Sequence, residues 1–176
     1  DASGIGLAAD LVVGGTLTLN NQLSITGDVT LPGAPSLITH DRGVMGSNLV
    51  VTGHLFVGAG ALIDVGGQGL KGGRTINSVT ANEESSHVGG SQAGGSHGGI
   101  GGRDSADTYG IDAAPVTFGG GGRNGGMLHS GLIPGGSGGG AVRIDANTLT
   151  LAGQILANGD AGLDNSNADG GGGAGG

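Results

Sequence analysis

Apolar and polar residues alternate along three stretches of the chain. They are LTLNNQLSI (residues 17–25), LVVTGHLFV (49–57) and LTLAGQILA (149–157). Each carries aliphatic residues at its first, third, seventh and ninth positions. A period of two puts those side chains on one face of a strand. The fifth position is Asn21, Gly53 or Gly153, residue types that tolerate left-handed backbone angles. Each copy therefore predicts two short strands joined by a corner. Strand-like pieces flank the copies: ADLVVGG before the first, GDVTL (27–31) after it, ALIDVGG (61–67) after the second and GGAVRIDA (139–146) before the third.

A recurring strand–corner–strand unit predicts an all-β protein, a parallel β-helix (β-solenoid). In such a fold each coil buries its apolar face against its neighbours. Right-handed is the commoner sense for parallel crossovers. The copies begin at Leu17, Leu49 and Leu149, so the period is not fixed and insertions lie between coils. The expected organisation is one unit over 1–176, with 72–140 a glycine-rich insertion or layer. An antiparallel β-sandwich is the alternative, because it also alternates short strands. No stretch carries helical spacing with a cap and a stop. The nearest, TANEESSH (80–87), is short and polar.

Composition sharpens this picture. Of 176 residues, 46 are glycine, roughly four times the ordinary share. Glycine loses the most backbone entropy on folding, so such a chain needs a regular backbone or close backbone contacts, or it stays disordered. VGGSQAGGSHGGIGGR (88–103) poses the choice most sharply: a flexible insertion, or extended runs packed side by side. FGGGGRNGG (118–126), PGGSGGG (134–140) and GGGGAGG (170–176) would be further parts of such a layer. Aromatic residues are confined to Phe56, Tyr109 and Phe118, so the core must be aliphatic.

Six Lys and Arg face fourteen Asp and Glu, for a formal net charge of −8. That balance repels a phosphate backbone, and stacking aromatics are missing, so nucleic acid is not an expected partner. No apolar run is long enough to span a bilayer. The sequence begins at Asp1 with neither a signal peptide nor a starting Met, which reads as a processed chain or a piece of a larger one. Cysteine is absent, which excludes a disulfide framework and thiolate chemistry.

LVVTGHLFVGAGALIDVGGQGLKGG (49–73) and GGSGGGAVRIDANTLTLAGQILANGDAG (135–162), with the closing GGGGAGG, carry a resemblance. In these phrases the chain resembles the glycine-rich parallel β-helix segments of large bacterial surface and secreted proteins. The resemblance covers about a third of the chain and implies an adhesin-, matrix- or filament-like role outside the cell or at its surface. It transfers no functional residue.

Candidate chemistry is sparse. Parallel β-helices include glycan-cleaving enzymes, which need carboxylates gathered on one face. Here Asp28, Asp41, Asp64, Asp104, Asp107, Asp112 and Asp145 are scattered, and an enzyme is not expected. The segment NGDAGLDNSNAD (158–169) offers hard oxygen ligands in a glycine-containing loop, which suits calcium. Asp160, Asp164 and Asp169 are its candidate ligands; no other cofactor is expected. The spacing matches neither an EF-hand nor the calcium nonapeptide, and a solvated acidic turn is the plainer reading. The histidines form no HxH or HExxH pair, which argues against zinc. The expected function is structural or adhesive, through head-to-tail self-association at uncapped ends or within a surface assembly. A glycan-binding or glycan-cleaving β-helix and an ice-binding face built on Thr16, Thr18, Thr26, Thr30, Thr52, Thr148 and Thr150 are the alternatives.

Overall fold

The structure is a computed structural model that describes residues 4–44, 47–73, 94–95, 97, 117–122, 127–128, 131–163, 172–173 and 175. Its contacts divide the chain into two compact units, residues 1–65 with 142–156 and residues 66–141 with 157–176.

The period-two stretches of the first unit fold as strands. β1 (Ile5–Leu7), β2 (Leu11–Val12) and β3 (Thr16–Thr18) make a first tier. β4 (Gln22–Ile25), β5 (Val29–Leu31) and β6 (Leu37–Thr39) make a second. β7 (Asn48–Val57) and β8 (Leu62–Asp64) follow as a third. The second unit contributes β9 (Met127–Leu128) and β10 (Gly131–Leu132), an antiparallel pair. A fourth tier, β11 (Arg143–Leu151) and β12 (Gln154–Leu156), closes the first unit. All other pairings among the described strands are parallel. β1, β2, β4, β5, β7 and β11 form a six-stranded sheet, and β3, β6, β8 and β12 a four-stranded one.

The register stacks like on like. Ile5 pairs with Leu23, Leu23 with Leu49, and Leu49 with Ile144. Leu11, Val29, Leu55 and Leu149 form a second ladder. Leu17, Ile38, Ile63 and Ile155 form a third in the smaller sheet. Their inward side chains make the aliphatic core, in which Ile25, Val29, Leu31, Ile38, Leu55 and Ile63 are buried. Fully burying such a side chain is worth about 1.5–3 kcal/mol. Successive tiers bury one another's faces, as the alternation requires.

The parallel β-helix expected from the sequence is corrected here. The described strands make two parallel sheets and a separate antiparallel pair, which do not by themselves show a parallel β-helix. β7 is a single long strand that lies opposite the two shorter strands β4 and β5 of the tier before it, and β11 pairs with β7 along its length. The antiparallel sandwich is overturned by the parallel pairing in both large sheets. The three sequence copies are not structural equivalents either. Residues 17–25 cross from the four-stranded sheet to the six-stranded one, 49–57 lie within one strand, and 149–157 cross in the opposite sense. Gly53, the expected corner, sits inside β7. The equivalent segments are IGLAADLVV (5–13), LSITGDVTL (23–31), LVVTGHLFV (49–57) and IDANTLTL (144–151). The last is one residue shorter, and the register shifts between Ala146 and Thr148.

The second unit is built differently. Three glycine-rich segments bond to one another through their backbones. Between 69–73 and 135–138, Gly69 N–H donates to Gly138 O at 2.7 Å, Gly138 N–H to Leu70 O at 2.8 Å and Gly135 N–H to Gly73 O at 2.9 Å. Leu70 N–H donates to Gly119 O at 3.1 Å and Gly73 N–H to Gly122 O at 2.9 Å. Gly119 N–H donates to Gly139 O and Gly122 N–H to Gly136 O, both at 2.8 Å. Each segment thus bonds to the other two. A flat sheet cannot close such a triangle, because a strand's amides point to two opposite sides only. Extended chains with three residues per turn direct them around the axis and can. Side chains would block the approach: a Cβ on Gly138 would run into the Gly119 carbonyl, and one on Gly72 into that of Gly135. Among the described residues, the buried large apolar side chains of this unit are Phe118 and Ile133.

Among the described residues no helix is present, and none long and apolar enough to cross a membrane.

Candidate functional site

Of the proposed calcium ligands, Asp160 lies in the second unit; Asp164 and Asp169 lie outside the described residues. The Asp160 backbone is held on both sides. Its N–H donates to Ser137 O at 2.7 Å, and its carbonyl accepts from Gly173 N–H at 2.8 Å. Its carboxylate lies where a Cβ on Gly67 would sit. Among the described residues no three His, Cys, Asp or Glu side chains gather as a metal would need.

Other carboxylates of the first unit tie neighbouring tiers or pair on the surface. Asp28 N–H donates to Asp10 Oδ1 at 2.9 Å, and His54 N–H donates to Asp28 Oδ1 at 2.7 Å. Asp41 N–H donates to Asn20 Oδ1 at 2.9 Å, while Asn20 Nδ2 donates to Asp41 Oδ2 at 2.6 Å. Asp145 pairs with Arg143 at 2.9 Å on the exposed face of β11. His54 Nε2 lies 2.8 Å from Thr150 Oγ1. Sequence reading found neither carboxylate bridge. The signal was the Asp shared by the aligned segments 5–13 and 23–31, at Asp10 and Asp28.

The feature that stands apart is the pair of sheet edges. Among the described residues the first tier pairs only with the second, and the fourth only with the third. Both therefore present strand edges with no partner among the described residues. Several inward-facing residues of the outer tiers are open where their ladder partners in the middle tiers are covered. In the Leu11 ladder, Val29 and Leu55 are 0% exposed while Leu149 is 49% exposed. In the ladder that begins with Ile5, Ile5 is 70% exposed and Leu49 is 1%. Leu7, Leu151 and Ile155 are exposed in the same outer tiers. Two apolar depressions mark the first edge: about 200 Å³ lined by Ile5, Leu17, Leu19 and Leu23, and about 260 Å³ lined by Leu11, Val13 and Leu17. Chemically, such an edge offers main-chain donors and acceptors beside aliphatic side chains, which is what an added strand uses.

No family model matches the chain, and no curated protein or solved structure is similar to it.

Proposed function

We propose that the chain is a structural module that works by association through its exposed sheet edges, in the manner of matrix or adhesive material outside the cell. The observation that carries this reading is the exposure of ladder residues at the outer tiers: Val29 and Leu55 are covered, whereas Ile5 and Leu149 stand open. The carboxylates of Asp10, Asp28 and Asp41 support it, because they accept hydrogen bonds that tie one tier to the next. The lack of cysteine and the glycine-rich resemblance support the external location.

Light scattering and negative-stain electron microscopy across a concentration series test the reading. The expected result is mass that grows with concentration, and its loss in Ile5→Lys or Leu149→Lys. A lysine there places a charge on the edge, a device that keeps natural edges apart. A single-chain mass at every concentration would overturn it.

A further inference from the structure

Resting on that reading, we infer that the partner of each edge is a second copy of this chain, added head to tail in a register the internal pairings already define. The two edges are not alike. One is the outer side of β1, β2 and β3, the other the outer side of β11 and β12. Within the unit every tier lies parallel on the next, and its inward aliphatic residues meet inward aliphatic residues. The fourth tier of one copy has the strand direction and side-chain alternation that the first tier of the next requires.

Tracing the ladders through the tiers gives the contacts. Ile144 sits over Leu49, Leu23 and Ile5 in turn, so Ile144 of one copy meets Ile5 of the next. By the same tracing Leu149 meets Leu11, and Ile155 meets Leu17. The half-exposed Leu149 and Ile155 would then be covered as Leu55 and Ile63 already are. The fourth tier is one residue short at its corner, but β7 and β11 accommodate the same mismatch with one register shift. Because the two edges differ, the contact is heterologous and each added copy offers a fresh edge. Growth is linear and does not close on a two-fold axis.

The outward ladders supply the test. Val12, Thr30, Phe56 and Thr150 are in register on the six-stranded sheet. Thr16, Leu37, Leu62 and Gln154 are in register on the four-stranded one. Head-to-tail addition places Val12 beside Thr150, and Thr16 beside Gln154, at about the 4.8 Å spacing of neighbouring strands. That separation lies within the Cα range of a disulfide. The chain has no cysteine of its own, and all four positions are exposed.

Full-length Val12→Cys and Thr150→Cys chains are mixed and oxidised, and Thr16→Cys and Gln154→Cys chains likewise. Far-ultraviolet circular dichroism checks that each variant is folded, and the second pair serves if a member of the first is not. The expected product is the mixed dimer, in about tenfold excess over either homodimer, equivalent to a preference of about 1.4 kcal/mol. The double variants should give a ladder of covalent oligomers. Homodimers of one variant in place of mixed dimers would overturn the head-to-tail register and leave edge association standing. No cross-link with a single-chain mass at every concentration would overturn both.

Discussion

Asp28 Oδ1 accepts the backbone N–H of His54 at 2.7 Å, across 26 residues of sequence, while the backbone N–H of Asp28 donates to Asp10 Oδ1 at 2.9 Å. One residue is thus acceptor for the tier that follows and donor to the tier that precedes. At this position a side-chain oxygen stands in for the carbonyl of an ordinary parallel ladder. Replacing Asp28 with Ala leaves the His54 amide without its acceptor and should cost about 1–2 kcal/mol in urea unfolding. Asp28→Asn keeps an acceptor oxygen and should cost well under half of that. Equal losses in the two variants would show that charge, not acceptance, is what the position supplies.

Burial along a single ladder sets a second expectation. Leu55 is fully covered and Leu149 is half exposed, although they are partners in register. Leu55→Ala should cost about 2–5 kcal/mol, the range for a buried leucine. Leu149→Ala should cost about 1 kcal/mol or less at concentrations where the chain is a monomer. Denaturant midpoints of the two variants decide it. Comparable losses would mean that the fourth tier is covered in solution.

The glycine unit predicts a contrast between two positions of one residue type. A Cβ at Gly138 collides with the Gly119 carbonyl, whereas one at Gly172 makes an ordinary 3.7 Å contact with Asp160 O. Gly138→Ala should destabilise the second unit by about 3 kcal/mol or more, since backbone must move to admit the methyl group. Gly172→Ala should stay within about 1 kcal/mol of the parent. Amide hydrogen exchange at Leu70 and Gly119 reports the unit directly, and equal protection in both variants would contradict the packed arrangement.

Gly67 combines two constraints, a φ of +63° and the Asp160 carboxylate where its Cβ would stand. Gly67→Ala should cost about 1–3 kcal/mol. In the Gly67→Ala/Asp160→Ala double variant the steric part is relieved and only the backbone part remains. A double-mutant cycle measures the difference, and strict additivity would show that the two residues do not meet.

Much of the first unit is legible in the sequence. Period-two alternation locates the strands around residues 17–25 and 49–57, and the aliphatic core follows from the lack of aromatics. The phase differs. Overlaying 49–57 on 17–25 matched apolar positions, whereas the pairing partner is 23–31, where LSITGDVTL shares its Thr-Gly with LVVTGHLFV. At Gly53 the sequence predicts a corner, because glycine so often supplies one. Its reason is proximity: the Asp28 carboxylate and the Gly27 carbonyl occupy the space a Cβ would need, so the strand runs straight through. The closed triangle of glycine segments was beyond reach for another reason. Backbone hydrogen bonds leave no pattern in side-chain chemistry, and glycine pairs at unequal spacings do not say which segment bonds to which. Self-association at the edges remains a proposal, and the register proposed for it needed the ladders.

The closed glycine triangle also sets how the second unit responds to temperature. Unfolding raises heat capacity mainly by wetting apolar surface, and exposure of peptide groups lowers it. Segments 69–73, 119–122 and 135–139 bury mostly peptide groups, whereas the first unit buries stacked leucine, valine and isoleucine. The glycine unit should therefore have a shallow stability curve that changes little on cooling, beside a first unit whose curve is strongly arched. A chain so composed would hold its glycine framework at low temperature on enthalpy that its aliphatic half lacks.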